Sequence, residues 1–221
     1  MTTVEFDLSV YGVLDPARAQ GRPLGQLAEA AIRGGVTFLQ LRFKGATTKQ
    51  FLAAALETVE VTHRMNVPLV INDRVDIAYA VEAEGVHLGQ EDMDPEEARD
   101  RLGEHAIIGA TIHSLEEARA APVKFADYYG VGAVYATASK DRKEPPIGIE
   151  GFASLRKELE LVDPGKPVVG IAGITAENCV PVLEAGAQGV AVISDIFMAD
   201  DVEAAARRLT AAVSGTREAA A

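Results

Sequence analysis

The chain has 221 residues, 48% of them hydrophobic, enough apolar material for one large α/β core or two small ones. A net charge of −12 argues against a nucleic-acid surface, although a small anionic ligand can still meet locally basic residues on an acidic protein. The single cysteine, Cys179, excludes an internal disulfide and a cysteine-rich metal site, and no apolar run approaches the roughly 18 residues of a membrane span. The first ten residues carry neither a basic nor an apolar signal region, so the expectation is a cytoplasmic enzyme with no membrane attachment.

In chain order, a strand pattern at 8–13 is followed by a helix pattern at 23–33, then strand 37–42 and helix 48–65, strand 68–72 and helix 74–84, strand 85–88 and helix 95–102. The second half continues with strand 106–111 and helix 115–123, strand 128–134 and helix 151–161, strand 167–171 and helix 176–185, strand 189–193 and helix 202–213. Thr47 or Thr48, Asp94 before Pro95, and Ser114 stand where helices need caps; Gly34-Gly35 and Gly186 stand just past helix ends. Strict alternation predicts an α/β fold, a single closed (β/α)8 TIM barrel over 1–213, with 214–221 as a loose C-terminal tail. A unit of about 28 residues is short for a barrel but sufficient. A five-strand flavodoxin-like sheet would leave three units over.

In such barrels the active site lies at the C-terminal strand ends. There the third and fourth strands run into Asp73 and Asp92, two carboxylates on adjacent strands that could share a hard, oxygen-seeking cation such as Mg²⁺. Taken singly, Asp73 could instead cap the following helix and Asp92 be solvated. The second strand ends in "QLRFK", which puts Gln40, Arg42 and Lys44 at alternate positions and suggests an anion clamp. "TASK" after the sixth strand adds Thr137, Ser139 and Lys140. "GIAGIT" and "VISD" follow strands seven and eight, the usual place in this fold for a phosphate held by backbone N–H groups and a helix N-terminus.

Two anion sites follow from this rim: a metal-bound pyrophosphate near Arg42, Lys44, Lys140, Asp73 and Asp92, and a monophosphate near Gly173 and Ser194. No rim segment presents a Ser–His–Asp or Cys–His set, which favours transfer from a pyrophosphate leaving group by charge stabilisation.

"QLRFK", "INDRVD", "GVHLGQED", "HSLEEA", "GIAGIT" and "GVAVIS" together resemble, in order and spacing, the thiamine phosphate synthase family, from "YGVLD" to about Ile196. The resemblance implies a (β/α)8 transferase of thiamine biosynthesis that joins 4-amino-2-methyl-5-(diphosphooxymethyl)pyrimidine to a thiazole phosphate with Mg²⁺. Pyrophosphate would leave first, and the thiazole nitrogen would attack a pyrimidine-methyl cation. The resemblance also implies that Gln40, Leu41, Arg42, Phe43, Lys44 and Asn72 bind the pyrimidine pyrophosphate and that Asp73 and Asp92 hold Mg²⁺. Thr111 would stand at a family serine among the catalytic and binding residues, with Arg42, Lys44 and Lys140 as the catalytic cations. Thr137, Ala138 and Ser139 would contact the thiazole phosphate and Lys140 the pyrophosphate, while Gly173, Ile193 and Ser194 complete the phosphate site. The implied partners are small molecules; the oligomeric state is left open, a homo-oligomer included.

Phe43 departs from a common glutamate, Ala136 from a proline, and Ala172 from the first glycine of "GIGGIT". Ala172→Gly is expected to lower stability slightly by adding freedom to the unfolded chain. His113, at the end of the fifth strand, reads equally as catalytic or as packed. His87 reads as structural, and Tyr11 either lines the base of the site or fills the barrel. Two rivals remain: a thiazole tautomerase, which would make His113 central, and a degenerate barrel that binds a phosphorylated ligand.

Overall fold

A strand buried on both faces needs apolar residues at nearly every position, and the short runs VYGVL, FLQL, LVIN, GVHL, IIGATI, YYGV, VVGI and GVAV meet that condition almost without exception. The protein is described by a computed structural model over residues 6–137 and 145–220. In it these runs form β1 (Val10–Leu14), β2 (Phe38–Leu41), β3 (Leu69–Asn72), β4 (Gly85–Leu88), β5 (Ile107–Ile112), β6 (Tyr128–Val131), β7 (Val168–Ile171) and β8 (Gly189–Val192). Each pairs in parallel with its sequence neighbour, and β8 returns to β1, closing a (β/α)8 barrel.

The helices are α1 (Leu24–Arg33), α2 (Thr48–Met65), α3 (Val75–Val81), α4 (Pro95–Leu102), α5 (Leu115–Arg119), α6 (Gly148–Val162), α7 (Val180–Glu184), α8 (Ser194–Phe197) and α9 (Val202–Ala220). Local chemistry sets several ends. Thr47 and Gln50 form a reciprocal capping box on α2, Asp94 accepts the Glu96 N–H ahead of Pro95 on α4, and Ser114 accepts the Glu117 N–H on α5. Among the described residues no helix is long and apolar enough to cross a membrane.

Four departures from the sequence pattern stand out. α5 stops at Arg119, shortly before Pro122, which disfavours helical backbone in the residue preceding it. α7 starts late because the Asn178 side chain accepts the Thr175 N–H and donates to the Gly173 carbonyl, holding that stretch as a turn. Directly after β8 comes the separate single turn α8. α9 runs through the expected loose tail to Ala220, and Arg217 on it donates to Ser9 Oγ and to the Gln188 carbonyl at the base of the barrel.

Alternation along each strand divides the core in two. Residues such as Leu14, Leu39, Leu41, Ile71 and Leu88 face the helices, while Tyr11, Val13, Phe38, Val70, Ile107, Tyr128 and Val169 fill the barrel. Tyr11 and Phe38 meet edge-on with centroids 4.7 Å apart, Phe38 and Tyr128 at 5.7 Å, and Phe6 closes the stack from below. Rings this large fit only because small residues stand opposite. A β-carbon at Gly109 would overlap both the Tyr128 ring and the His87 imidazole. Gly109→Ala should therefore destabilise the protein by about 1–3 kcal/mol, the usual cost of overpacking. A Tm lowered by about 2–4 °C per kcal/mol is the expected thermal-melt result; an unchanged Tm would mean the rings relax freely.

Candidate active site

The C-terminal ends of the strands enclose a cavity of about 280 Å³. Its floor is Tyr11, Gln40, Asn72 and His87; its walls include Arg42, Thr137, Ile171–Thr175 and Ala191–Asp195. Of the residues singled out in the sequence, Gln40, Arg42, Asn72, Thr137, Gly173, Ile193 and Ser194 all line this one space.

Arg42 follows β2 and is nearly buried. Its guanidinium pairs through Nη1 with the carboxylate of Asp15, itself buried and capping a short 3₁₀ turn at Pro16–Arg18 by accepting the Ala17 N–H. Arg42 Nε is buried and, among the described residues, meets no hydrogen-bond partner. A cation with an unsatisfied donor on a cavity wall is disposed to receive an anion. Lys44, two residues on, does not continue the line of Gln40 and Arg42 into the cavity. The strand has ended, and Lys44 instead turns to pair with Asp73.

Asp73 has a left-handed backbone, φ 64°, and its N–H bonds to the His87 carbonyl at 2.9 Å. This turns its carboxyl toward that of Asp92. Burial, and then the hydrogen bond and charge of Asp92, raise the Asp73 pKa against the opposing pull of Lys44. Asp92 is held in turn by accepting the Gly89 N–H at 2.7 Å. The two carboxylates expected to share one cation therefore do meet, beside the cavity rather than in its wall. Among the described residues no group of three or more His, Cys, Asp or Glu gathers as a metal site, here or elsewhere.

Other residues fall differently. The Leu41 side chain is buried between barrel and helices, and Phe43 packs toward Phe51 with centroids 6.1 Å apart, so neither side chain faces the cavity. Thr111 lies below the cavity, its hydroxyl 2.7 Å from His87 Nε2. Ala138, Ser139 and Lys140 fall outside the described residues. His113 does not line the cavity; its Nδ1 bonds to the Gly132 carbonyl.

Sequence reasoning missed His87 and Asp195. His87 reads as one more residue of a buried strand, and the signal that could have found it is parity, since it stands an even step from Gly85 on the inward face. Asp195 follows Ser194 on α8, and its Oδ2 accepts the Ala176 N–H at 3.0 Å, tying the loops after β7 and β8 together. Since α8 is a single turn, any anion here would rely on local N–H groups more than on a helix dipole.

Gly173 has φ 70°, and its β-carbon would press on the Ala136 carbonyl, so the fold itself requires glycine there. Ala172 also has a left-handed backbone, φ 72°. That reverses the expected sign of Ala172→Gly. Relief of the β-carbon strain outweighs the extra freedom of the unfolded chain, and the variant should be more stable by about 1 kcal/mol. A Tm raised by about 2–4 °C is the result to look for, and a lowered one would mean the strain is absent.

Burial, aided by Glu177, raises the Asp195 pKa despite the Ala176 N–H and Arg208. A carboxyl with a raised folded-state pKa adds stability below its unfolded pKa and loses it as pH rises through the folded value. Asp195→Asn, which keeps an acceptor for the Ala176 N–H, should therefore have a Tm advantage over wild type at pH 7 that vanishes near pH 3.5. An advantage that stays constant with pH would contradict this.

Comparison with known proteins agrees with this architecture. The family model described as thiamine monophosphate synthase matches residues 10–196. The thiamine-phosphate synthase of Chloroflexus aurantiacus is 44% identical over 212 residues, covering 96% of this chain and 95% of that protein. That of Natronomonas pharaonis is 46% identical over 211 residues, covering 95% and 96%. A thiamine phosphate pyrophosphorylase structure from Pyrococcus furiosus superposes with a TM-score of 0.82 at 36% identity, covering 95% of this chain and 96% of that one. With the match running through every strand of the barrel and the loops around its cavity, the chain belongs to the thiamine monophosphate synthase family of transferases.

Proposed function

We propose that this chain joins 4-amino-2-methyl-5-(diphosphooxymethyl)pyrimidine to a thiazole phosphate, giving thiamine phosphate and pyrophosphate. The observation that carries the reading is one cavity with two differently built ends. One end offers Arg42 with its unsatisfied buried Nε, near the Lys44–Asp73–Asp92 cluster; the other offers the small residues and backbone of the loops after β7 and β8. A substrate pair carrying a pyrophosphate and a separate monophosphate suits that division.

On this reading Gln40 and Asn72 hold the pyrimidine against the floor, and Arg42, steadied by Asp15, takes one side of the pyrophosphate. The thiazole phosphate sits by Gly173, Ile193 and Ser194, with Thr137 at its edge. Asp73 and Asp92 would hold Mg²⁺: their carboxylates are together, one raises the pKa of the other, and hard oxygen donors suit that ion. When bound, the ion supplies positive charge to the leaving pyrophosphate. Lys140, carried over from the family resemblance, would add a second cation to the departing group. With that charge stabilised, the bond between the pyrimidine's methylene carbon and the pyrophosphate oxygen breaks ahead of attack, and the apolar side chains of Val13, Ile171 and Ile193 around the cavity limit water at the resulting cation until the thiazole nitrogen reaches it. The reaction needs no nucleophilic side chain. The reading also takes the protein to work in the cytoplasm on small molecules alone.

The direct test is to mix purified protein, both phosphorylated substrates and Mg²⁺, and to measure thiamine phosphate and pyrophosphate. Neither product would form if the reading is wrong. Asp73→Asn and Asp92→Asn should each lower kcat by about 10²-fold or more. Because both act through one ion, the double variant should lose much less than the product of the single losses; multiplicative losses would show that the two carboxylates have separate tasks.

A further inference from the structure

The single turn α8 carries Ser194 and Asp195 on the cavity wall, and a turn this short has too few internal hydrogen bonds to fix its own position. What holds it comes from its neighbours. On one flank Asp195 accepts the Ala176 N–H from the loop after β7. Beneath, Ile196 and Phe197 are buried, and the Phe197 ring lies against Gly12 of β1, where a β-carbon would stand 3.2 Å from its Cζ.

The other flank is held by Arg22, in the loop after β1. The chain turns back at Gln20 and Gly21, both left-handed at φ 55° and 74°, and Pro23 disfavours helical backbone at Arg22 just ahead of α1. From there Nε donates to the Ala19 carbonyl at 3.1 Å, Nη1 to the Ala199 carbonyl at 2.8 Å and Nη2 to the Phe197 carbonyl. A guanidinium carries donors only, so the direction of each bond is fixed. Among the described residues no backbone N–H bonds to the Phe197 or Ala199 carbonyl, so Arg22 supplies the donors that the end of the turn lacks. Arg22 itself is half-buried and stands outside the cavity wall.

We propose that Arg22 is a positioning residue for the monophosphate end of the site: by spanning the Phe197 and Ala199 carbonyls it sets where α8 stands, and with it Ile193 and Ser194 on the cavity wall. This rests on the functional reading above and assigns the binding of one substrate to a residue that does not touch it. The effect is confined to that substrate because the pyrophosphate end is steadied separately. Asp15 pairs with Arg42 and accepts the Ala17 N–H without any bond to Arg22. Loss of the guanidinium leaves Ile196 and Phe197 in the core, and the adjoining Met198 is exposed, so water can reach the released carbonyls. The fold survives; the placement of the turn is what changes.

The test is steady-state kinetics of wild type, Arg22→Met and Arg22→Lys, varying each substrate in turn with the other saturating, with inorganic phosphate as a competitor of the thiazole phosphate and melting curves alongside. Arg22→Met keeps an apolar stem and removes the donors. Its KM for the thiazole phosphate and its inhibition constant for inorganic phosphate should both rise about tenfold, with kcat and the pyrimidine pyrophosphate KM within about twofold of wild type, the pattern of lost ground-state binding. Arg22→Lys should recover part of the loss, since one ammonium cannot reproduce a planar fork across two carbonyls. A merely structural role would instead lower Tm and kcat and shift both KM values together. Equal shifts in the two KM values, or a thiazole phosphate KM within twofold of wild type in Arg22→Met, would overturn the proposal. If Arg22→Met does not fold, the same one-sided shift, smaller in size, must appear in Arg22→Lys. A wild type that forms no thiamine phosphate would sink the functional reading and this proposal with it, whereas an active wild type with no split between the two KM values in the variants sinks only the proposal.

Discussion

Everything at the rim depends on what fills the barrel beneath it. An eight-stranded barrel has an interior just wide enough for side chains, and here the middle is taken by the edge-to-face group Tyr11, Phe38 and Tyr128 over Phe6. The two tyrosine rings present carbon to the apolar interior and their hydroxyls to Gln40 and His87. One layer therefore seals the core and supplies a polar floor. Gly109 exists for that layer, and so does the inward position of His87, since each leaves or uses the space beside the Tyr128 ring.

Above the floor, an acidic chain has to present positive charge, and it does so by steadying cations with buried or half-buried carboxylates. Asp15 fixes Arg42, and Asp73 fixes Lys44. The arrangement limits how far each cation can roam, at the cost of some neutralisation. It is not complete: Arg42 retains an unsatisfied Nε, and Asp73 carries a raised pKa because Lys44 does not offset burial and Asp92. Both imbalances have the sense that binding of a charged ligand set would relieve. On the opposite wall Asp195 spends its carboxylate on the Ala176 N–H, joining the two loops that would face a phosphate.

Much of this was legible in the sequence because parallel barrels repeat one pattern. Apolar runs that are buried on both faces stand out against capped amphipathic segments, so all eight strands and the closed barrel could be read from periodicity. Residues at strand ends were legible for the same reason: Gln40, Arg42, Asn72, Gly173 and Ser194 follow directly from knowing which end of each strand carries chemistry, and they do share a cavity. What was hidden depends on backbone angles and on cross-barrel contacts. The left-handed backbone of Ala172 cannot be inferred from alanine, a residue that seldom adopts it. The line Gln40, Arg42, Lys44 fails at its last member because β2 ends at Leu41, and strand alternation has no meaning in the turn beyond. The partners Tyr11 and Tyr128 are 117 residues apart, and only closure of the barrel brings their hydroxyls together.

The same geometry weighs the rival activities. A proton-moving tautomerase built on His113 would need that imidazole in the substrate cavity. Here its Nδ1 is engaged with the Gly132 carbonyl, its N–H bonds to Glu117, and the ring stands outside the cavity wall. A decayed barrel would be expected to lose costly features first, because left-handed non-glycine residues, paired carboxylates and buried arginines all reduce stability unless something selects for them. This chain keeps Asp73 in a left-handed backbone against Asp92 and keeps Arg42 nearly buried with a donor unsatisfied. Retention of three such costs within one rim is the physical argument for an active transferase rather than a passive binder.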